Sequence, residues 1–215
     1  MRQSTADTTA APLAADNRPF DRELQRQLKR AAVLRAAAAA FNRDGFAITS
    51  MDDVAKDVGI TKPTLYQYFS SKEDILYECH QHSMQHAEAG IELAKTAGSG
   101  LEKLLAFYRR YMRGILGEFG SCTVLANVDN LSLDRRREVV QRRAIISAAA
   151  RGFVEEGIQD KSVRECDPHL AALFTLGAVN WIPLWYRESG SNTADEIIEA
   201  FIDHVRSSIA APATA

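Results

Sequence analysis

Apolar residues recur along this chain with helical spacing and almost nowhere alternate as they do in strands. The segment "RELQRQLKRAAVLRAAAAAFNRDG" sets Leu24, Leu28, Ala32, Leu34 and Phe41 along one side of a run of strong helix formers. Gly45 ends it. The same spacing predicts helices over residues 71–95, 100–119, 132–156, 168–188 and 193–209. Breaks fall at "AGSG" (97–100), "EFGSC" (118–122), Gly157, "CDPH" (166–169) and "SGSN" (189–192). No β-hairpin dipeptide lies between two β-branched runs, so the expected class is all-α with about nine helices.

One stretch changes direction far more often than the rest. In "SMDDVAKDVGITKPTLYQYFSSKEDI" (50–75), Ser50 and Asp53 form a capping box that starts a helix at Met51. Gly59 ends that helix after Val58, because glycine takes the left-handed conformation cheaply. Thr61 caps a second short helix and tolerates Pro63 in its first turn, where no amide donor is needed. Ser70 and Glu73 form a further capping box that launches a third. Two short helices about a tight glycine turn make a helix-turn-helix. Ala55 and Leu65 supply its small and buried positions, and Val54, Val58, Leu65 and Phe69 face the preceding helix. Thr61, Lys62, Thr64, Tyr66, Gln67 and Tyr68 are then left outward: phosphate donors and base-edge readers near a helix N-terminus. By spacing alone the stretch also suits a packing corner of an all-helical enzyme, with Tyr66 and Tyr68 half-buried.

Charge sharpens the first reading. The chain of 215 residues carries a net −2, yet Arg22 to Lys72 hold nine basic against five acidic residues. A basic end on an acidic body fits a nucleic-acid-binding module joined to something else. Residues 1–21, rich in Ala, Thr and Asp, read as a disordered tail without a secretory apolar region. No apolar run approaches the ~20 residues that span a bilayer, so no membrane partner is expected. Three widely spaced cysteines, Cys79, Cys122 and Cys166, suit reduced thiols and a cytoplasmic location. No P-loop, G-x-S-x-G, G-x-G-x-x-G or H-E-x-x-H motif occurs, so neither an enzyme nor a cofactor is expected.

The segment "FNRDGFAITSMDDVAKDVGITKPTLYQYFSSKEDIL" (41–76) resembles the DNA-binding end of TetR-type transcriptional regulators. Phe41, Gly45, Thr49, Val54, Ala55, Gly59, Thr61, Leu65, Tyr66, Phe69, Lys72 and Leu76 carry the likeness. It implies a helix-turn-helix domain over 22–70 and an effector-binding, dimerising domain over 71–215, acting as a repressor on a double-stranded DNA operator. It further implies that Thr49 and Ser50 meet phosphate, that Thr61, Lys62, Thr64, Tyr66 and Tyr68 face the groove, and that Lys72 holds the DNA backbone. Tyr68 and Pro63 depart from the residues common at those positions in the family, which bears on the operator sequence.

The C-terminal half offers an interface and an effector site. Ile197, Ile198, Phe201, Ile202, Val205 and Ile209 form an apolar stripe, and Ala171, Ala172, Gly177 and Ala178 allow close helix approach. A homodimer built on these two helices suits a palindromic operator, whose half-sites lie ~34 Å apart. "GAVNWIPLWYRESG" (177–190) resembles the last segment of family members that respond to acyl-CoA thioesters. That likeness makes Asn180, Trp181 and Trp185 effector candidates; a dimer-interface aromatic cluster is the other reading. Pro183 is expected to kink this helix. Phe107, Tyr108, Tyr111, Met112, Phe119, Phe153 and Phe174 form an aromatic stripe that reads as core or as pocket wall. Arg135, Arg136, Arg137, Arg142 and Arg143 read either as a solvated face or as a cradle for an anionic head group. Cys79, His82 and His86 share one helix face, which raises a metal-responsive switch as an alternative, although a fourth ligand is missing nearby.

Overall fold

The computed structural model describes residues 19–117, 128–187 and 189–212. The expected "EFGSC" break, Phe119, Cys122 and most of the expected tail lie outside them. Within them the chain forms α1 (Pro19–Asp44), α2 (Met51–Val58), α3 (Lys62–Tyr66), α4 (Lys72–Ala94) and α5 (Gly100–Leu116). A short 3-10 turn at Val128–Asn130 precedes α6 (Leu133–Gln159), α7 (Pro168–Trp185) and α8 (Ala194–Ile209). The all-α expectation holds: eight α-helices and that turn, with no strand among the described residues. One isolated antiparallel bridge joins Val163 to Ala210.

Local chemistry sets most boundaries. Gly45 (φ 89°) and Gly59 (φ 74°) take the left-handed conformation after α1 and α2. Complete capping boxes at Ser50/Asp53, Ser99/Glu102 and Thr193/Glu196 start α2, α5 and α8. Two expectations need correcting. The cap of α4 is Ser71, which accepts from the Asp74 amide at 3.1 Å, while Glu73 instead accepts from the Ser132 amide at 2.9 Å. Gly157 does not end α6, which continues to Gln159. A Cβ on Gly157 would lie 2.4 Å from Cγ2 of Val163, and the start of α5 crosses α6 there so closely that a Cβ on Gly100 would lie 2.0 Å from the Gly157 amide nitrogen. Pro183 sits inside the last turn of α7 and, having no amide hydrogen, leaves the Val179 carbonyl without its helical donor.

Two packed regions share α4. Val33, Leu34, Ala37 and Phe41 of α1 cover Val54, Ala55 and Leu65 of α2 and α3, together with Phe69. Further on, α5 supplies the centre of a bundle, with Phe107, Tyr108, Met112 and Ile115 fully buried. Each such side chain contributes about 1.5–3 kcal/mol on burial. Polar pairs lace α4 to α6: Arg135 to Glu73 and Asp74, Tyr77 and Gln81 to Glu138, and Arg142 to Glu88.

Gly100→Ala should lose about 1–3 kcal/mol or more of unfolding free energy, because backbone rather than a pliable side chain stands in the way. Gly152→Ala, where nothing lies within 4 Å, should instead hold or gain up to about 1 kcal/mol in the same urea titration.

Candidate DNA-binding surface and effector site

Thr61 starts α3, and its hydroxyl lies 2.8 Å from that of Thr64. Leu65 turns inward and is fully buried, which leaves Thr61, Lys62, Tyr66 and Gln67 exposed on the opposite side. Thr64 and Tyr68 are half-buried, and Tyr68 also packs against the core. Ser50 is exposed beside this face, although its hydroxyl already serves Asp53 at 2.6 Å. At five residues α3 has little macrodipole, so charge here rests on Lys62 rather than on the helix end.

Lys62 has a partner that the sequence did not reveal. Its ammonium donates to Asp52 of α2 at 2.8 Å, and this bond holds its pKa above the ordinary lysine value. Both side chains are about half-exposed or more, so the pair is loose and exchangeable.

Two residues expected to meet phosphate have partners within the chain. Thr49 is 3% exposed, and its hydroxyl donates to the Gly45 carbonyl at 3.0 Å. Lys72 is half-buried at the start of α4. Its ammonium donates to the carbonyls of Phe46 (2.6 Å), Thr49 (2.8 Å) and Ala47 (3.4 Å) and lies 4.3 Å from the centre of the Phe46 ring. An ammonium has three donors, and all three are engaged.

In the bundle the effector candidates separate into two groups. Phe107, Tyr108, Tyr111 and Phe153 come together, with ring centroids 4.9–6.2 Å apart from that of Phe107. Asn180 joins them by accepting from the Tyr111 hydroxyl at 2.9 Å. The Tyr108 hydroxyl lies 2.6 Å from that of buried Thr175, and burial raises the pKa of both tyrosines. Phe174, Trp181 and Trp185, by contrast, lie outside: they are 67%, 63% and 44% exposed. The helix carrying them is apolar almost all round, and these three occupy its outer side.

That outer side is continuous. Leu170, Leu173, Phe174 and Trp181 recur on α7 at helical spacing, and all are exposed, as is Gly177 between them. At Phe174 this side borders a groove of about 430 Å³ against α8, lined also by Ala178, Phe201, His204 and Val205 among others. Of the expected interface residues, Gly177, Ala178, Phe201 and Val205 lie on or at this surface, but Ile198 and Ile202 do not. Each is 1% exposed, within the protomer's own core, because the α8 stripe faces α5.

The arginine run also divides. Arg135, Arg136, Arg137 and Arg142 pair with carboxylates at the surface. Arg143 turns inward, with Nη2 3.1 Å from Nδ1 of His80, and burial lowers its pKa. His80 and Ser83 of α4 are buried polar groups that the sequence reading passed over. Their signal was a polar residue recurring on the same face as Leu76, Met84 and Ala87. Cys79 faces α1, with Sγ 3.9 Å from the Leu34 carbonyl. No group of three such side chains that could hold a metal ion occurs among the described residues. Nor does any described helix have the length and apolarity to cross a membrane.

Comparison with known proteins places this geometry. Residues 33–79 match the family model for bacterial regulatory proteins of the tetR family. Residues 97–209 match the tetracyclin repressor-like C-terminal domain. YhgD of Bacillus subtilis (strain 168), an uncharacterized HTH-type transcriptional regulator, is 28% identical over 153 residues, 67% of this chain and 76% of its own. The fatty acid metabolism regulator protein of the same organism is 27% identical over 165 residues, covering 73% and 82%. The crystal structure of the TetR family transcriptional regulator PfmR from Thermus thermophilus matches with a TM-score of 0.67 at 29% identity, over 81% of this chain and 97% of that one. With a matching DNA-binding end and a matching ligand-binding body that alone spans over half its length, this chain belongs to the TetR family of transcriptional regulators.

Proposed function

We propose that the protein is a homodimeric, cytoplasmic repressor that grips a palindromic operator with two copies of α3 and lets go when an amphipathic acyl compound enters each bundle. The observation that carries this reading is the pairing of an outward Thr61–Gln67 face with an uncovered apolar stripe on α7. A monomer seldom leaves so much aromatic surface in water, and a second copy related by a two-fold axis would cover it with the same stripe. Residues 22–70 act as the DNA-binding head and 71–215 as the effector-binding and dimerising body. The repressor-like C-terminal match supports the direction of control, and the likeness to a fatty acid metabolism regulator supports an acyl effector.

Release follows from linkage. An effector weakens operator binding only by preferring the conformation in which the two heads no longer fit the groove spacing.

A gel shift with DNA from upstream of the protein's own coding region tests the reading; no retarded band for any such fragment defeats it. Lys62→Ala should weaken binding to every duplex and lower the salt slope by about one. Asp52→Asn releases the Lys62 ammonium and should tighten binding, most at low salt. Phe174→Asp with Trp181→Lys should halve the mass seen by light scattering and abolish the shift, while circular dichroism stays helical.

A further inference from the structure

The outward face of α3 divides into rows of side chains. Leu65 and Phe69 are buried and fix the inward direction. Gln67 caps the C-terminus of α3 with helical angles (φ −71°, ψ −20°), so the advance of about 100° per residue runs on through it. Pro63 and Gln67, one turn apart, therefore stand roughly opposite Leu65, and both are exposed. Lys62 and Tyr66 form an exposed row on one flank, while Thr64 and Tyr68 on the other are half-buried. A helix laid in a major groove brings its outermost row nearest the base edges.

The polar groups on and beside this face differ in what they have left to offer. The Lys62 ammonium donates to Asp52 at 2.8 Å. The hydroxyls of Thr61 and Thr64 lie 2.8 Å apart, and that of Thr61 also accepts from the Thr64 amide at 3.4 Å. Ser50 Oγ donates to Asp53 at 2.6 Å, and Tyr68 packs against the core. The Gln67 side chain, by contrast, makes no hydrogen bond to any other described residue. The exposed Tyr66 hydroxyl shares that freedom, but a single hydroxyl serves a phosphate as readily as a base edge. Gln67 alone on the face holds a donor and an acceptor in one plane. Pro63 beside it is apolar, so nothing in the outermost row competes for the carboxamide.

We propose that Gln67 is the residue of α3 that specifies base identity, its carboxamide closing two hydrogen bonds on one adenine in each half-site. In the major groove adenine presents N7 as an acceptor and its N6 amino group as a donor, so the Gln67 amide donates to N7 while its oxygen accepts from N6. Guanine presents two acceptors there, N7 and O6, and would leave the Gln67 oxygen unpaired. Thymine offers only the O4 acceptor and cytosine only the N4 donor, so each satisfies half of the carboxamide. Thr61, Lys62 and Tyr66 are left to the sugar–phosphate backbone, where they position the helix without choosing a sequence. The assignment rests on the reading of α3 as the groove-facing helix of an operator-binding dimer.

The test is selection of binding duplexes from a random pool by the full-length protein, followed by affinity measurements on the selected operator and its single-base variants. Each half-site should hold an adenine whose replacement weakens the wild-type protein roughly tenfold or more and weakens Gln67→Ala hardly at all. Putting 7-deazaadenine at that position removes the N7 acceptor and nothing else. The wild type should then lose affinity severalfold, and Gln67→Ala should bind both duplexes equally. If Gln67→Ala keeps the wild-type preference at every position, or if the position it relaxes is not an adenine, the assignment is overturned and the operator reading stands. An equal loss on 7-deazaadenine in both proteins overturns it in the same way. A pool in which no sequence is enriched overturns the operator reading and this assignment together.

Discussion

The ammonium of Lys72 joins the two halves of the molecule. It sits at the first residue of α4 and reaches back to the carbonyls of Phe46 and Thr49, in the turn between α1 and α2. Those carbonyls follow a helix that ends at Asp44, and their demand for donors would otherwise fall on water. With the Phe46 ring also against the ammonium, the turn is clamped to the start of α4. The direction of α2, and through Gly59 that of α3, is thereby referred to α4. The exposure of Thr61, Lys62, Tyr66 and Gln67 follows from this clamp and from the burial of Leu65 beneath them.

α4 is one helix from Lys72 to Ala94, so it belongs both to the packing around α1 and to the bundle. Its outer side is tied to α6 by Arg135, Glu138 and Arg142, and its inner side carries His80, Ser83 and His86 into the bundle. The individual surface pairs are each worth little, since solvent screens them. Their value is geometric, in fixing the register of α4 on α6. A ligand that reorganised the packing of α4 on α6 would act on both helices at once, because α4 also carries the Lys72 clamp. Only a ligand that favours one arrangement over the other can do this.

The sequence revealed most where a local rule is strict. A left-handed glycine has one geometry, and so has a complete capping box, so Ser50, Gly45 and Gly59 behaved as their positions indicated, whereas the box expected at Ser70 and Glu73 gave way to a cap at Ser71. Direction was harder to read. On α7 nearly every position is apolar, and periodicity cannot say that Val179 and Ile182 face in while Phe174 and Trp181 face out. On α8 the stripe was visible, but not that Ile198 and Ile202 meet α5 rather than a second copy. The five arginines in the first half of α6 looked alike, yet among them only Arg143 turns inward. Thr49 and Lys72 matched a family pattern, which fixes residue type and position but not which partner each group finds.

The clamp itself can be separated from a direct DNA contact by one comparison. Lys72→Met keeps the stem and removes the three donors. Amide hydrogen exchange across residues 46–50 should then quicken, and operator affinity should fall equally at every ionic strength, leaving the salt slope unchanged. A salt slope lowered by about one, with exchange in that turn unaltered, would mean that Lys72 grips phosphate and that something else joins head to body.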